Sequence, residues 1–246
     1  MRYLIPLMLI ASPLAAQAQG LGGYVLSADV GLGAEYGPAY LGSDDNETSP
    51  WFILKNGSLS RQTPTGETTD GFSVVPSFNY IGRRDAGDHD ALKGMDDISR
   101  AGEIGGRFGY DFGPTSSYFT IRKGFGGHHG MVGEVGAKYR YQATDQLQLT
   151  SYVEADYGDS SFAETYFGVT QEESLNSGYR AYEPNGGFHQ ASIGVEARYS
   201  LTDNLALLGG VEYSRLIGDA KDSPFVKDKN QSSVKLGIVR HFDFRF

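Results

Sequence analysis

Five histidines carry the candidate chemistry of this chain near neutral pH, where imidazole is the ordinary side chain that changes charge: His89, His128, His129, His189 and His241. His128 and His129 are adjacent and flanked by Gly127 and Gly130, a setting in which two imidazoles could share a transition metal. A solvated turn is the commoner state of such a pair. His189 opens a strand beside a serine-bearing loop, and His241 shares a strand face with Asp243, so a Ser-His-acid arrangement has to be weighed. No G-x-S-x-G elbow presents a serine, and interior histidines satisfied by their neighbours explain both positions more simply. The acidic runs Asp44-Asp45-Asn46-Glu47 and Asp85–Asp97 offer hard oxygen ligands for Ca²⁺. They lack EF-hand spacing and read as charged, solvated loops. The expectation is of no catalytic residue, no cofactor and no built metal site.

The elements that would position these residues are strands. In a strand, successive side chains point to opposite faces. At the C-terminus Val234, Leu236, Ile238, Phe242, Phe244 and Phe246 share one face, while Lys235, Gly237, His241, Asp243 and Arg245 share the other. The same alternation returns in Tyr24–Ala34, in Phe72–Tyr80, in Gly106–Phe112 and in five further segments. One face is apolar throughout. The other carries charges of both signs, among them Asp29, Glu103, Arg107, Glu134, Lys138, Glu154, Glu196 and Arg198. No segment sustains a 3.6-residue period, so helix content is expected to be very low.

The N-terminus supplies the compartment. Arg2, an apolar stretch over Tyr3–Leu14 and the A-x-A site at Ala16-Gln17-Ala18 read as a secretory signal peptide over 1–18, with a mature domain over 19–246. Removing it takes Lys+Arg from 21 to 20, leaves Asp+Glu at 30 and moves the net charge from -9 to -10. That balance disfavours nucleic acid, whose phosphates need clustered Lys and Arg. With no cysteine there is no disulfide framework and no thiol chemistry. The 34 glycines and the 30 Tyr and Phe residues suit tight turns, small interior positions and interfacial girdles. A mean hydropathy of -0.35 argues against a helical membrane protein. It does not argue against a barrel, in which only alternate residues meet lipid.

The expected fold is therefore all-β: a single antiparallel transmembrane barrel of about ten strands. Twelve become possible if Asn56-Gly57 is a hairpin turn and Tyr166–Thr170 crosses. Short links at 113–116, 144–146 and 202–204, with 63–70 as a fourth inner turn, fall on one side, and long connections at 36–48, 83–100, 158–186 and 218–229, with Gly126–Gly130 as the one short outer loop, fall on the other. Outer-membrane barrels keep short turns inside and long loops outside. Ten strands lie near the size at which side chains fill the interior, which disfavours an open general porin.

Five segments, in order, resemble the MipA/OmpV family of Gram-negative outer-membrane proteins, the MltA-interacting proteins. The first runs from Gly37 to Asp45 and includes Tyr40, Gly42, Ser43, Asp44 and Asp45. The second joins Gly82-Arg83-Arg84 to Leu92–Ile98, with Gly94 between. The third is Tyr166-Phe167-Gly168-Val169. Tyr213–Ala220, with Arg215, Leu216, Gly218 and Asp219, and then Asp222-Ser223-Pro224 complete the set. The chain departs at Arg240-His241-Phe242, where a Tyr-x-Phe ending is usual, and extends past it to Phe246.

That resemblance implies an outer-membrane barrel with a structural role. The name-giving member is a scaffold between an MltA-type lytic transglycosylase and a bifunctional penicillin-binding protein at the peptidoglycan. Lipid, lipopolysaccharide and the barrel-assembly machinery are the other implied partners, the last reading Phe242, Phe244 and Phe246 as a closing-strand signal. The alternative is a narrow channel, or a surface-binding or adhesin barrel that uses its long external loops.

Overall fold

The computed structural model describes residues 24–61 and 71–245. The signal peptide, the inner turn at 63–70 and Phe246 lie outside the described residues. Ten antiparallel strands are present: β1 (Tyr24–Pro38), β2 (Asn46–Arg61), β3 (Gly71–Ile81), β4 (Ala101–Phe112), β5 (Thr115–Gly126), β6 (Met131–Gln142), β7 (Leu147–Gly158), β8 (Gly187–Thr202), β9 (Leu205–Leu216) and β10 (Asn230–Arg245). Each has the 9–11 residues or more that a tilted strand needs to cross a bilayer. No helix among the described residues is long and apolar enough to cross a membrane.

The strands form one curled sheet in the order β2-β1-β10-β9-β8-β7-β6-β5-β4-β3. The first and last strands therefore pair, with Leu32 opposite Ile238 and Ser27 opposite Asp243. The two ends of the sheet are the sequence neighbours β2 and β3. The curl brings them side by side, and the rings of Phe52 and Tyr80 meet edge-on across them at 5.9 Å. No hydrogen-bonded ladder joins β2 to β3 among the described residues.

Asn56-Gly57 is not a turn. Ser27 pairs with Ser58 and Asp29 with Lys55, so two residues of β2 oppose the single residue Ala28. This is a β-bulge, which bends a strand without ending it, and β2 continues unbroken for 16 residues. Tyr166–Thr170 does not cross either, since it lies in the connection between β7 and β8. Ten strands is the count among the described residues, and the twelve-strand alternative falls.

Helix content is low, as the absent 3.6-residue period implies, and the α-helices are confined to one connection. Residues 159–186 hold α1 (Ser160–Phe167) and α2 (Gln171–Ser177). Both are too short for a 3.6-residue period to stand out, yet their caps are readable. The Asp159 carboxylate accepts from the Phe162 N–H at 3.0 Å. Thr170 and Glu173 form a reciprocal capping box.

The two faces differ as the alternation demands. Phe52, Phe72 and Leu236 are 62%, 70% and 65% exposed on the outside, an apolar surface that only lipid can cover. The largest buried apolar side chains do not sit inside the barrel. Phe167, Phe225 and Leu92, each at 0% exposure, lie among the long connections at one rim.

Candidate functional site

The first candidate site is the cap that the long connections build over that rim. Tyr40 from 39–45, Leu92 and Met95 from 82–100, Val169 from 159–186 and Phe225 from 217–229 form one apolar cluster. A second contains Ile98, Phe162, Tyr166, Phe167, Leu216 and Ala220. Polar ties join the same four connections. The Lys227 N–H donates to the Gly42 carbonyl at 2.8 Å, the Ser223 hydroxyl to the Phe167 carbonyl at 2.6 Å, and the Tyr182 hydroxyl to the Asp219 carbonyl at 2.8 Å. Buried Glu173 accepts from the Asp96 N–H at 3.0 Å with one oxygen and from the Thr170 N–H at 2.8 Å with the other.

The family-like positions resolve into parts of this cap. Tyr40, Tyr166, Phe167 and Leu216 supply its core, and Ser43 and Ser223 are buried polar ties. Gly42, Gly94 and Gly218 have φ of +93°, +82° and +58°, where a side chain is strained. A Cβ on Gly94 would also lie 2.6 Å from the Asn176 backbone at the end of α2. Exposed Arg83 pairs with Asp85 and Asp97. Asp44, Asp45, Gly82 and Arg215 lie at the surface, Gly168 ends α1, and Pro224 is half-buried beside Ser223.

Electrostatics in the cap follow these contacts. The Ala86 N–H at 2.8 Å, and then Arg83, hold the Asp97 carboxyl below the usual range. The backbone and side-chain N–H groups of Asn185, both at 2.9 Å, do the same for Asp219. Burial, helped by Glu103, pushes the Tyr166 hydroxyl up to about 12. Burial lowers the Arg84 guanidinium, which lies 5.3 Å over the Phe225 ring and donates to the Tyr166 carbonyl.

The second candidate site is the barrel interior, where opposite charges pair. Arg122 donates to Glu103 at 2.9 Å and to Glu134, and Arg107 donates to Glu134 at 2.8 Å. Lys55 pairs with Glu196, Arg198 with Asp29, and Arg140 with Asp111 at 2.9 Å. The expected interior glycines are not simply space. Gly136 stands opposite Tyr118 and Gly194 opposite Tyr152, and these rings fill the room a side chain would need. Their hydroxyls reach Glu154 and Glu212. Tyr118, Tyr152, Arg122 and Lys55 were missed from sequence, although the inward parity of β5, β7 and β2 would have found them. A cavity of about 620 Å³ remains in the barrel.

The histidines divide. His128 is buried, its Nε2 3.2 Å from Glu103 while its Nδ1 accepts from the Gly130 N–H; His129 is exposed, so the pair shares nothing. His241 is held by Asp29 at 2.7 Å and Asp243 at 3.3 Å, the satisfied interior state. His189 stacks near Phe162 and Phe167, and its Nδ1 lacks the hydrogen-bond partner that a catalytic imidazole requires. No group of three or more His, Asp or Glu side chains fit to hold a metal occurs among the described residues. In the acidic run at 85–97, Asp85, Asp90 and Asp97 are spent on Arg83, Lys93 and the Ala86 N–H.

A curled antiparallel sheet with an apolar outer face and an ionised interior defines an outer-membrane β-barrel. The family model described as MltA-interacting protein MipA matches residues 30–242, and the chain belongs to that family. It is 25% identical over 183 residues to the MltA-interacting protein of Escherichia coli K12, covering 72% of this chain and 71% of the relative. It is also 29% identical over 104 residues to the putative outer membrane protein YiaT of Escherichia coli K12, covering 42% and 41% of the two chains. Outer membrane protein Omp26La of Vibrio anguillarum is 28% identical over 96 residues, 39% of this chain and 37% of that protein. Among solved structures, an outer-membrane channel of Pseudomonas putida F1 aligns over 94% of this chain and 99% of that one, at 13% identity and a TM-score of 0.45. The chain is an outer-membrane protein.

Proposed function

We propose that this barrel is a scaffold that ties peptidoglycan-remodelling enzymes to the outer membrane, and that it is not itself an enzyme. The observation that carries the reading is the family match over 30–242, with a relative named for its interaction with MltA. The internal chemistry supports it, because Arg107, Arg122, Arg140 and Arg198 are used on interior carboxylates and no histidine is set up for catalysis. The rule of short inner turns and long outer loops puts the cap outward. A cell-wall partner then meets the opposite rim: the links at 113–114, 143–146 and 203–204, and the β-strand ends beside them. The test is a pull-down of the folded barrel, tagged at its mature N-terminus, from detergent-solubilised envelopes. Recovery of a lytic transglycosylase with a bifunctional penicillin-binding protein is the expected result. A folded barrel that brings down neither overturns the scaffold.

A second reading, a narrow channel or surface-binding barrel, is favoured by the interior cavity and by the ordered cap above it. Discrete conductance in planar bilayers would support transport. Silence from a folded barrel removes the channel and leaves surface binding by the cap.

A further inference from the structure

The seam between β2 and β3 reaches further than a missing ladder. The interior cavity is lined by Leu54 and Lys55 on β2 and by Pro76, Ser77, Phe78 and Asn79 on β3. Both seam strands therefore contribute to the cavity wall, and their unpaired edges lie beside the lumen. Leu54 and Phe78 belong to the lipid face, each about half exposed, while Lys55 reaches across the interior to Glu196. The sequence marks both strands as edges independently. Pro50 in β2 and Pro76 in β3 are the prolines in strand interiors among the described residues, and proline is confined to edge strands because it cannot donate to a ladder. Unpaired strand edges are tolerated at membrane depth only where they are buried in protein or line a water-filled cavity.

The same cavity holds a cation without a carboxylate. The Arg107 and Arg140 guanidinium groups are engaged by Glu134 and Asp111. Lys138, which lines the wall with them, faces the Tyr118 ring at 5.8 Å and has no carboxylate within 4.0 Å of its ammonium among the described residues. A cation left in an interior shielded from bulk water favours an anion beside it.

We infer that the β2–β3 seam is a lateral portal from the membrane into the lumen, and that the cavity takes a single-chain anionic amphiphile such as a long-chain carboxylate. The headgroup lies against Lys138 and the acyl chain leaves between Leu54 and Phe78 into lipid. A volume of about 620 Å³ is of the size that houses a small ligand.

The chain carries its own probe, because its single tryptophan, Trp51, lines this cavity. The experiment reconstitutes the full barrel in phosphatidylcholine bilayers and titrates dibrominated stearate, reading Trp51 quenching against the uncharged methyl ester of the same chain. Stearate is expected to quench saturably and the ester at least tenfold more weakly. Lys138→Gln should raise the half-saturating concentration tenfold or more, while Lys138→Arg, which keeps the charge and guards against a folding defect, stays near wild type. Bridging Leu54→Cys to Phe78→Cys with a short bis-maleimide, in a chain with no other thiol, should abolish quenching from the bilayer while aqueous acrylamide still reaches Trp51. Equal quenching by acid and ester, or indifference to Lys138→Gln, overturns the headgroup site. Full stearate quenching in the bridged barrel overturns the portal.

Discussion

Glu173 shows how much one side chain can hold. Its two oxygens satisfy the Asp96 and Thr170 N–H groups, one on each of two different connections, so removing the carboxylate leaves two part-buried backbone donors without their partner. Each such loss costs about 1–3 kcal/mol, enough to open the cap locally while the strands stay paired. Glu173→Ala should therefore speed proteolysis within 159–186 of the folded barrel at least tenfold, with strand content unchanged by circular dichroism; unchanged cleavage would show that the apolar clusters suffice. The glycines of the same cap were legible from sequence, because a motif glycine signals a backbone that a side chain would obstruct, and Gly42, Gly94 and Gly218 all have positive φ. Glu173 was not, because nothing local distinguishes a capping-box glutamate from one that also reaches a second loop. His128 is a similar case: its partner Glu103 is brought to it by the β4–β5 pairing.

At the scale of elements, alternation carried the reading for every strand but β2 and failed where side chains stop alternating in type. β10 shows the rule at its clearest, with Val234, Leu236, Ile238, Phe242 and Phe244 all outward. A charge on this face meets lipid or its interface, a cost of up to about 4 kcal/mol at the midplane that falls to about 0–1 kcal/mol near the interfaces. Phe244→Asp should lower the yield of heat-modifiable, folded barrel in membranes several-fold. Phe246→Asp should impair assembly similarly if the terminal aromatic is the assembly signal, and normal insertion of that variant would remove the signal. β2 is irregular, and open to reading as a hairpin, because its bulge at Asn56-Gly57 breaks the pattern. The helices of 159–186 escaped because two turns cannot establish a period, and their caps were the surviving trace. The missing ladder was beyond alternation altogether. Whether two strands bond depends on how a whole sheet curls, and only Pro50 and Pro76 hinted at it.

The molecule as a whole has two differently built parts: a barrel braced by interior ion pairs, and a cap with an apolar core. They should respond differently to acid. In the cap, Asp97 and Asp219 have carboxyls held below their unfolded value by N–H donors and, for Asp97, by Arg83. A depressed carboxylate lends stability that is complete above the unfolded pKa, about 4, and is lost as pH falls through the lower folded value. Cleavage of the cap loops by an acid-active protease should thus rise as pH drops from about 5 to about 3, and the combined Asp97→Asn and Asp219→Asn variant should flatten the profile. A flat profile in the unaltered protein would mean that these contacts do not hold the cap.

The pairing of β1 with β10 also has a consequence in time. Ser27 finds Asp243 across 216 residues, so during synthesis and export the free edge of β1 has no partner until nearly the entire chain has been made. An unpaired strand edge is an invitation to aggregate, and a long-range pair forms late because loop closure must precede it. The chain must therefore be kept apart from its copies until its last strand arrives. A version cut short before β10 would not be a smaller barrel; it would be a sheet with no means of closing.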